Sequence, residues 1–322
     1  MKSSTATAKG IKEKLTEFEN ENKSVKQIAN GYFFKWKKTK EENKRLLSSG
    51  SSSFQPVDVP KSMIINKDLL IVEMGSILGE GTFGRCVKGK YKGLNVCLKF
   101  FHEKSVLRSK IISEVKVMLG LTPHSSLPLL FGVCLEPDPI IITQFIGCDQ
   151  ESITLDNFFR KPHGTSMKWL DNCSPEHIVL AMFEGLQAIH LSGFIHNDIK
   201  PNNVLIEMKG LHCNAVIIDF GKSCPLHKGT FYKLRNKMEK QNHLNRYPHL
   251  APELVFGESP QNVFTDIYSL GYTVKKVLNK KFGNRLKYLK DISQSCMSRQ
   301  PRNRPGLNYF IDFLSRRTSC HV

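Results

Sequence analysis

His196-Asn197-Asp198-Ile199-Lys200-Pro201-Asn202-Asn203, followed downstream by Asp219-Phe220-Gly221, constrains this chain more than any other stretch. A carboxylate, an ammonium, an amide and a second carboxylate must come from two loops that the fold brings side by side. Those groups suit one chemistry, a hydroxyl nucleophile and Mg²⁺ held against the last phosphate of ATP. Asp198 can accept the hydroxyl proton, and Lys200 can neutralise charge on the transferring group. Asn203 and Asp219 offer the hard oxygens that Mg²⁺ takes.

Further motifs occur in a consistent order. Leu78-Gly79-Glu80-Gly81-Thr82-Phe83-Gly84 is a glycine-rich loop whose N–H groups can close over phosphate oxygens without Cβ obstruction. Alone it is weak evidence, because dinucleotide-binding folds use a similar string. Here a strand-like segment follows, ending Val96-Cys97-Leu98-Lys99, and Glu114 lies beyond it in a helical pattern. Ala251-Pro252-Glu253, Asp266-Ile267-Tyr268-Ser269-Leu270-Gly271 and Arg304 before Pro305 complete the series.

From about residue 70 to about residue 315 this order resembles the eukaryotic protein kinase family, whose loops read H-R-D-x-x-x-x-N and D-F-G. The resemblance extends to the tyrosine-kinase-like and receptor-interacting groups. It implies an α+β fold with a small antiparallel-sheet lobe, one main helix, and a larger helical lobe. It also implies ATP and Mg²⁺ as cofactors, with Lys99 pairing the phosphates, Glu114 holding Lys99, and Asp198 and Lys200 catalytic. Glu103 is a rival to Glu114, but helical spacing to Met118 and Leu121 favours Glu114. Asn203 and Asp219 are the implied metal ligands. The implied nucleotide pocket runs from Leu78 to Gly84 and adds Cys86, Cys97, Thr143 as gatekeeper, Gln144 and Ile146 of the hinge, and Leu205. Glu253 and Arg304 are expected to form a buried pair.

Two positions depart from the family pattern. Asn197 replaces the arginine that grips a phosphorylated activation segment, and an amide cannot supply that pairing. Arg246 stands where serine/threonine kinases keep a threonine, and His249 where tyrosine kinases keep a tryptophan. Lys200 favours serine/threonine specificity; tyrosine or dual specificity stays open. So does a pseudokinase scaffold, and a small-molecule phosphotransferase is a more distant rival.

Length allows the two lobes plus an extension. The expected division is residues 1–62 as a basic extension with a serine-rich linker, 63–147 as small lobe and hinge, and 148–318 as large lobe. In the extension, Ile11, Leu15, Phe18, Val25, Ile28, Tyr32 and Trp36 fall at helical spacing. That stripe reads either as a helix that docks on the kinase domain or a partner, or as a solvated tail. The +18 formal charge suits a protein substrate of acidic character and, equally, a soluble basic surface. No motif for specific nucleic-acid recognition occurs. No apolar run reaches the roughly 20 residues a membrane span needs. Nine cysteines without C-x-x-C spacing, and no secretory signal, predict unpaired thiols and a cytoplasmic or nuclear location.

Overall fold

A computed structural model of the chain describes residues 59–81, 83–102, 108–136, 138–147, 151–160, 173–209, 212–281 and 286–318. The apolar stripe from Ile11 to Trp36, the serine-rich linker, Thr82 and Glu103 lie outside the described residues.

Five antiparallel strands open the described chain: β1 (Leu70–Gly81), β2 (Gly84–Tyr91), β3 (Leu94–Phe101), β4 (Leu130–Cys134) and β5 (Ile140–Gln144). They form one sheet in the order β1-β2-β3-β5-β4. Successive residues of a strand face opposite ways, and β3 follows that rule. Val96 and Leu98 are fully buried, while Cys97 and Lys99 take the other face and stay partly exposed. In β5, Ile140, Ile141 and Ile142 are all buried, as a strand covered on both faces requires. Between β3 and β4 comes α1 (Arg108–Gly120), which buries Ile111, Val115 and Met118 together with Glu114. Ahead of β1, Val59, Met63 and Ile65 are buried, and the Ile65 N–H donates to the Val133 carbonyl at 3.0 Å.

The rest is mainly helical. Its helices are α2 (Leu155–Arg160), α3 (Pro175–Leu191), α4 (Lys237–Arg246), α5 (Pro252–Phe256), α6 (Val263–Lys281), α7 (Lys287–Cys296) and α8 (Leu307–Thr318). Strands β6 (Ile153–Thr154), β8 (Val204–Lys209) and β9 (His212–Ile217) form one small sheet, and β7 (Phe194–Ile195) pairs with β10 (Cys224–Pro225). The centre of this core is α3, packed against β9 and α8. Its Ile178, Val179, Met182, Phe183, Leu186 and Ile189 are fully buried. Each contributes about 1.5–3 kcal/mol relative to exposure. A sheet-rich part followed by a helical part is the α+β arrangement expected.

Three findings differ from the sequence reading or extend it. Helix α4 has no counterpart in it, because KMEKQNHLNR shows no apolar periodicity and buries nothing. A polar cap starts it instead, the Asn236 side chain accepting the Glu239 N–H at 2.8 Å. Strand β4 and helices α5 and α8 were likewise not singled out. The expectation of unpaired thiols is corrected at one place: Cys173 and Cys213 form a disulfide with Cα atoms 5.2 Å apart. They lie 40 residues apart in sequence, so no short spacing announces them. The packing of α3 on β9 brings the two together. No described helix is long and apolar enough to cross a membrane.

Candidate active site

Lys99 is the hub of the site. Its Nζ lies 2.7 Å from Glu114 Oε1 and 2.9 Å from Asp219 Oδ1, joining β3, α1 and the loop after β9. Glu114 is buried, and desolvation pushes its carboxyl up even though Lys99 pulls the other way. Burial would lower the Lys99 ammonium, but the charges of Glu114 and Asp219 outweigh it and raise its pKa. The Asp219 carboxyl is held low by Lys99 against the opposite pull of burial. Glu114 thus stands beside Lys99; its rival Glu103 lies outside the described residues.

The second cluster centres on Asp198, whose side chain is 4% exposed. Lys200 Nζ donates to its Oδ2 at 2.9 Å, and Asn203 Nδ2 donates to the same oxygen at 3.1 Å and to the Asp198 carbonyl at 2.9 Å. The Asn203 side-chain oxygen is left to other partners. Burial alone would raise the Asp198 carboxyl; donors from His249 and Lys200 and the charge of Lys222 hold it well below the usual carboxylate range.

Backbone geometry sets these directions. Asn197 and Asp219 take φ of 66° and 67°, a left-handed conformation that Asn and Asp tolerate better than most residues. Asp266 on α6 accepts the N–H groups of His196 (2.7 Å) and Asn197 (2.8 Å), which fixes the loop from below. His196 is fully buried; its Nε2–H donates to the Ile218 carbonyl at 3.2 Å, and its Nδ1 accepts the Asp198 N–H at 3.3 Å. That pair of bonds needs the neutral ring, and burial lowers its pKa accordingly.

Three of the residues expected around a nucleotide share a sheet face with Lys99. Cys86 pairs in register with Lys99, and Cys97 with both Lys88 and Thr143, so Cys86, Cys97, Lys99 and Thr143 line one face of the sheet. The Cys86 and Cys97 thiols hydrogen-bond each other, which pulls Cys86 down and pushes Cys97 up. Gln144 and buried Ile146 continue β5 into the hinge. Leu205, half-buried between buried Val204 and Ile206, faces away from them on β8. At Gly79 and Gly81 nothing lies within 4 Å of an added Cβ, so open space borders the loop where phosphates would approach. At Gly84, a Cβ would collide with the Phe100 carbonyl. Leu78 and Phe83 are half-buried, and Glu80 is exposed.

Residues 72–303 match the family model of the protein kinase domain. The chain belongs to that family. Among curated proteins this kinase is 24% identical over 273 residues to a probable serine/threonine-protein kinase of Dictyostelium discoideum, covering 76% of this chain and 28% of that protein. It is 24% identical over 269 residues to the dual specificity protein kinase shkD of the same organism, covering 74% and 34%. It is 32% identical over 150 residues to the human tyrosine-protein kinase TXK, covering 45% and 25%. The chain thus spans about a third or less of each of these relatives.

The two departures from the kinase pattern take definite places. The Asn197 side-chain amide donates to the Lys222 carbonyl at 3.0 Å, and Ser223 Oγ donates to the His196 carbonyl at 3.1 Å. Neutral bonds therefore tie the segment after Asp219 to the His196–Asn203 loop. Arg246 is exposed and lies over the Tyr247 ring. His249, three residues later, is the one that approaches Asp198, its Nε2 3.7 Å from Oδ1. The sequence reading did not assign Lys222, His249 or Asp266 to the site. Only Asp266 carried a signal, through its motif; the other two are recognised by where the segment folds back.

Proposed function

We propose that this kinase transfers the γ-phosphate of ATP, with Mg²⁺, to serine and threonine hydroxyls of protein substrates. The observation that carries the reading is the contact of Lys99 with both Glu114 and Asp219 at hydrogen-bond distance. A scaffold has no need for three charged groups from three elements at that spacing, with one carboxylate desolvated against its own preference. Lys99 would hold the α- and β-phosphates, and Gly79, Gly81 and Gly84 would close over them. Asn203 and Asp219 would hold Mg²⁺, whose remaining oxygens come from phosphate and water. The ion supplies neutralisation of charge building on the phosphate oxygens.

Asp198 acts on the hydroxyl. As the substrate oxygen bonds to the γ-phosphorus, the bond to the β,γ-bridging oxygen breaks and ADP leaves with the electron pair. The hydroxyl proton passes to Asp198, and Lys200 faces the charge beside it. That Lys200 contact supports serine and threonine as the acceptors, as does the serine/threonine naming of the first relative.

Radiolabel transfer to generic protein substrates, followed by phosphoamino-acid analysis, tests the reading. Asp198→Asn should bind ATP normally and lose about 10²–10⁴-fold in turnover. Phosphotyrosine as the main product would overturn the specificity. Equal turnover in Asp198→Asn would overturn the assignment of the base.

A further inference from the structure

Three donors bond the Asp198 carboxylate, and the His249 ring stands just beyond bonding distance. Oδ2 has Lys200 Nζ at 2.9 Å and Asn203 Nδ2 at 3.1 Å; Oδ1 has Lys222 Nζ at 3.0 Å and His249 Nε2 at 3.7 Å. A carboxylate offers about four lone-pair sites on its two oxygens. An arriving hydroxyl therefore competes with these donors for the Asp198 oxygens. Asn203 is buried and bonded to the Asp198 carbonyl, so it stays. Among the other three, side-chain exposure is 11% for His249, 32% for Lys200 and 45% for Lys222. Lys222 is the one that solvent and substrate reach most easily, and its partner oxygen is the one less well held by the loop itself.

A displaced ammonium needs another anion. Between Lys222 and Leu250 the only acidic residue is Glu239. Its Oε2 already accepts the Arg235 N–H at 2.8 Å. The same segment exposes Lys228, Lys233, Arg235, Lys237 and Arg246, while Lys240 donates to the Phe256 carbonyl. Its two ends, Lys222 and His249, both reach Asp198, so this cationic stretch borders the reacting carboxylate directly.

We propose that Lys222 is a latch on the catalytic carboxylate, released when an acidic side chain beside the target hydroxyl takes its ammonium. The proposal rests on the kinase reading above and names its substrate class, acidic peptides. Two effects act in one direction. The substrate carboxylate pairs with Lys222, and the Asp198 Oδ1 that the ammonium leaves is opened to the hydroxyl. A neutral peptide supplies no such anion and must break the Lys222–Asp198 pair unaided. The other cations of the segment raise the local concentration of acidic peptide without discriminating between register positions.

The test uses the full chain as wild type, Lys222→Gln and Lys222→Arg, with peptides that differ only in acidic or amide residues flanking one serine. Steady-state kcat/KM is measured for each, and peptide binding is followed by fluorescence anisotropy. Wild type should prefer the acidic peptide. Lys222→Gln should raise kcat/KM on the neutral peptide about two- to fivefold, the range for a half-exposed ion pair. The acidic-to-neutral ratio should shrink by at least that factor, and Lys222→Arg should keep it. Acidic-peptide binding should weaken in Lys222→Gln at an unchanged melting midpoint.

A neutral-peptide rate that stays level or falls in Lys222→Gln, or an unchanged ratio, would overturn the latch. So would equal use of both peptides by wild type, which would mean that ATP alone frees Asp198. If wild type phosphorylates no peptide, the kinase reading fails, and the binding measurement still decides whether Lys222 meets the acidic side chain.

Discussion

At the scale of single residues, the site is governed by which protonation state each environment favours. Asp198 and Asp219 are held low by neighbouring cations, so their contribution to stability is present above the ordinary carboxylate pKa of about 4. It is lost only as pH falls through their lower folded values. Glu114 works in the opposite sense: burial raises its carboxyl, so the folded state binds that proton more readily than the unfolded chain does. His196 dominates at milder pH. It is buried neutral with both ring nitrogens engaged, and its pKa is lowered, so the unfolded chain binds the proton more tightly. Stability from His196 is therefore complete above the unfolded value of about 6.5 and declines as pH drops below it. His124 and His243 shift the same way and add to the slope. The melting temperature should fall between pH 7 and pH 5, and His196→Asn, though less stable throughout, should show a shallower fall. Parallel curves for the two proteins would remove His196 as a source of the acid sensitivity.

At the scale of elements, the segment from Gly221 to Ala251 is joined to the rest by contacts that sequence patterns read unequally. Glu253 at the start of α5 and Arg304 before α8 were legible, since both belong to recognisable motifs. Arg304 Nη1 and Nη2 reach Glu253 Oε1 and Oε2 at 2.6 and 2.9 Å, and Arg304 also donates to the carbonyls of Ser298 and Phe264. Both side chains are buried, so truncating one leaves the other charged and unpaired. Arg304→Met should cost about 3–5 kcal/mol. For a domain of this size that lowers the melting temperature on the order of 10 °C, with Asp198-dependent turnover reduced only as far as folding is. A change under about 2 °C would show that the pair is not the anchor. Helix α4 was not legible, because it buries no side chain and its start is written in a polar cap. The disulfide was not legible either: thiols 40 residues apart meet only after α3 docks on β9. Strand β3 was legible from the apolar run that ends at Lys99, and Glu114 from its helical spacing, because burial there follows a simple period.

At the scale of the whole molecule, charge is the property that composition announces and the fold distributes. Residues 1–58 hold twelve Lys and Arg against seven Asp and Glu, so most of the +18 resides from residue 59 onward. Part of that excess lies between Lys222 and Arg246, bordering Asp198, which motif reading alone could not establish. A long-range field of this sign acts on encounter more than on the chemical step, because exposed charges are screened beyond a Debye length of about 10 Å at 0.1 M salt. The Lys222–Asp198 contact, at 3.0 Å, is screened much less. Raising salt from about 0.05 to 0.3 M should therefore lower kcat/KM on an acidic peptide several-fold by weakening encounter, with kcat nearly constant. The neutral peptide should show almost no salt dependence in either quantity. Measuring both constants for both peptides across that range separates the two contributions. A fall in kcat equal to the fall in kcat/KM would place the salt effect on the carboxylate itself, and identical salt slopes for the two peptides would remove the basic surface from substrate selection.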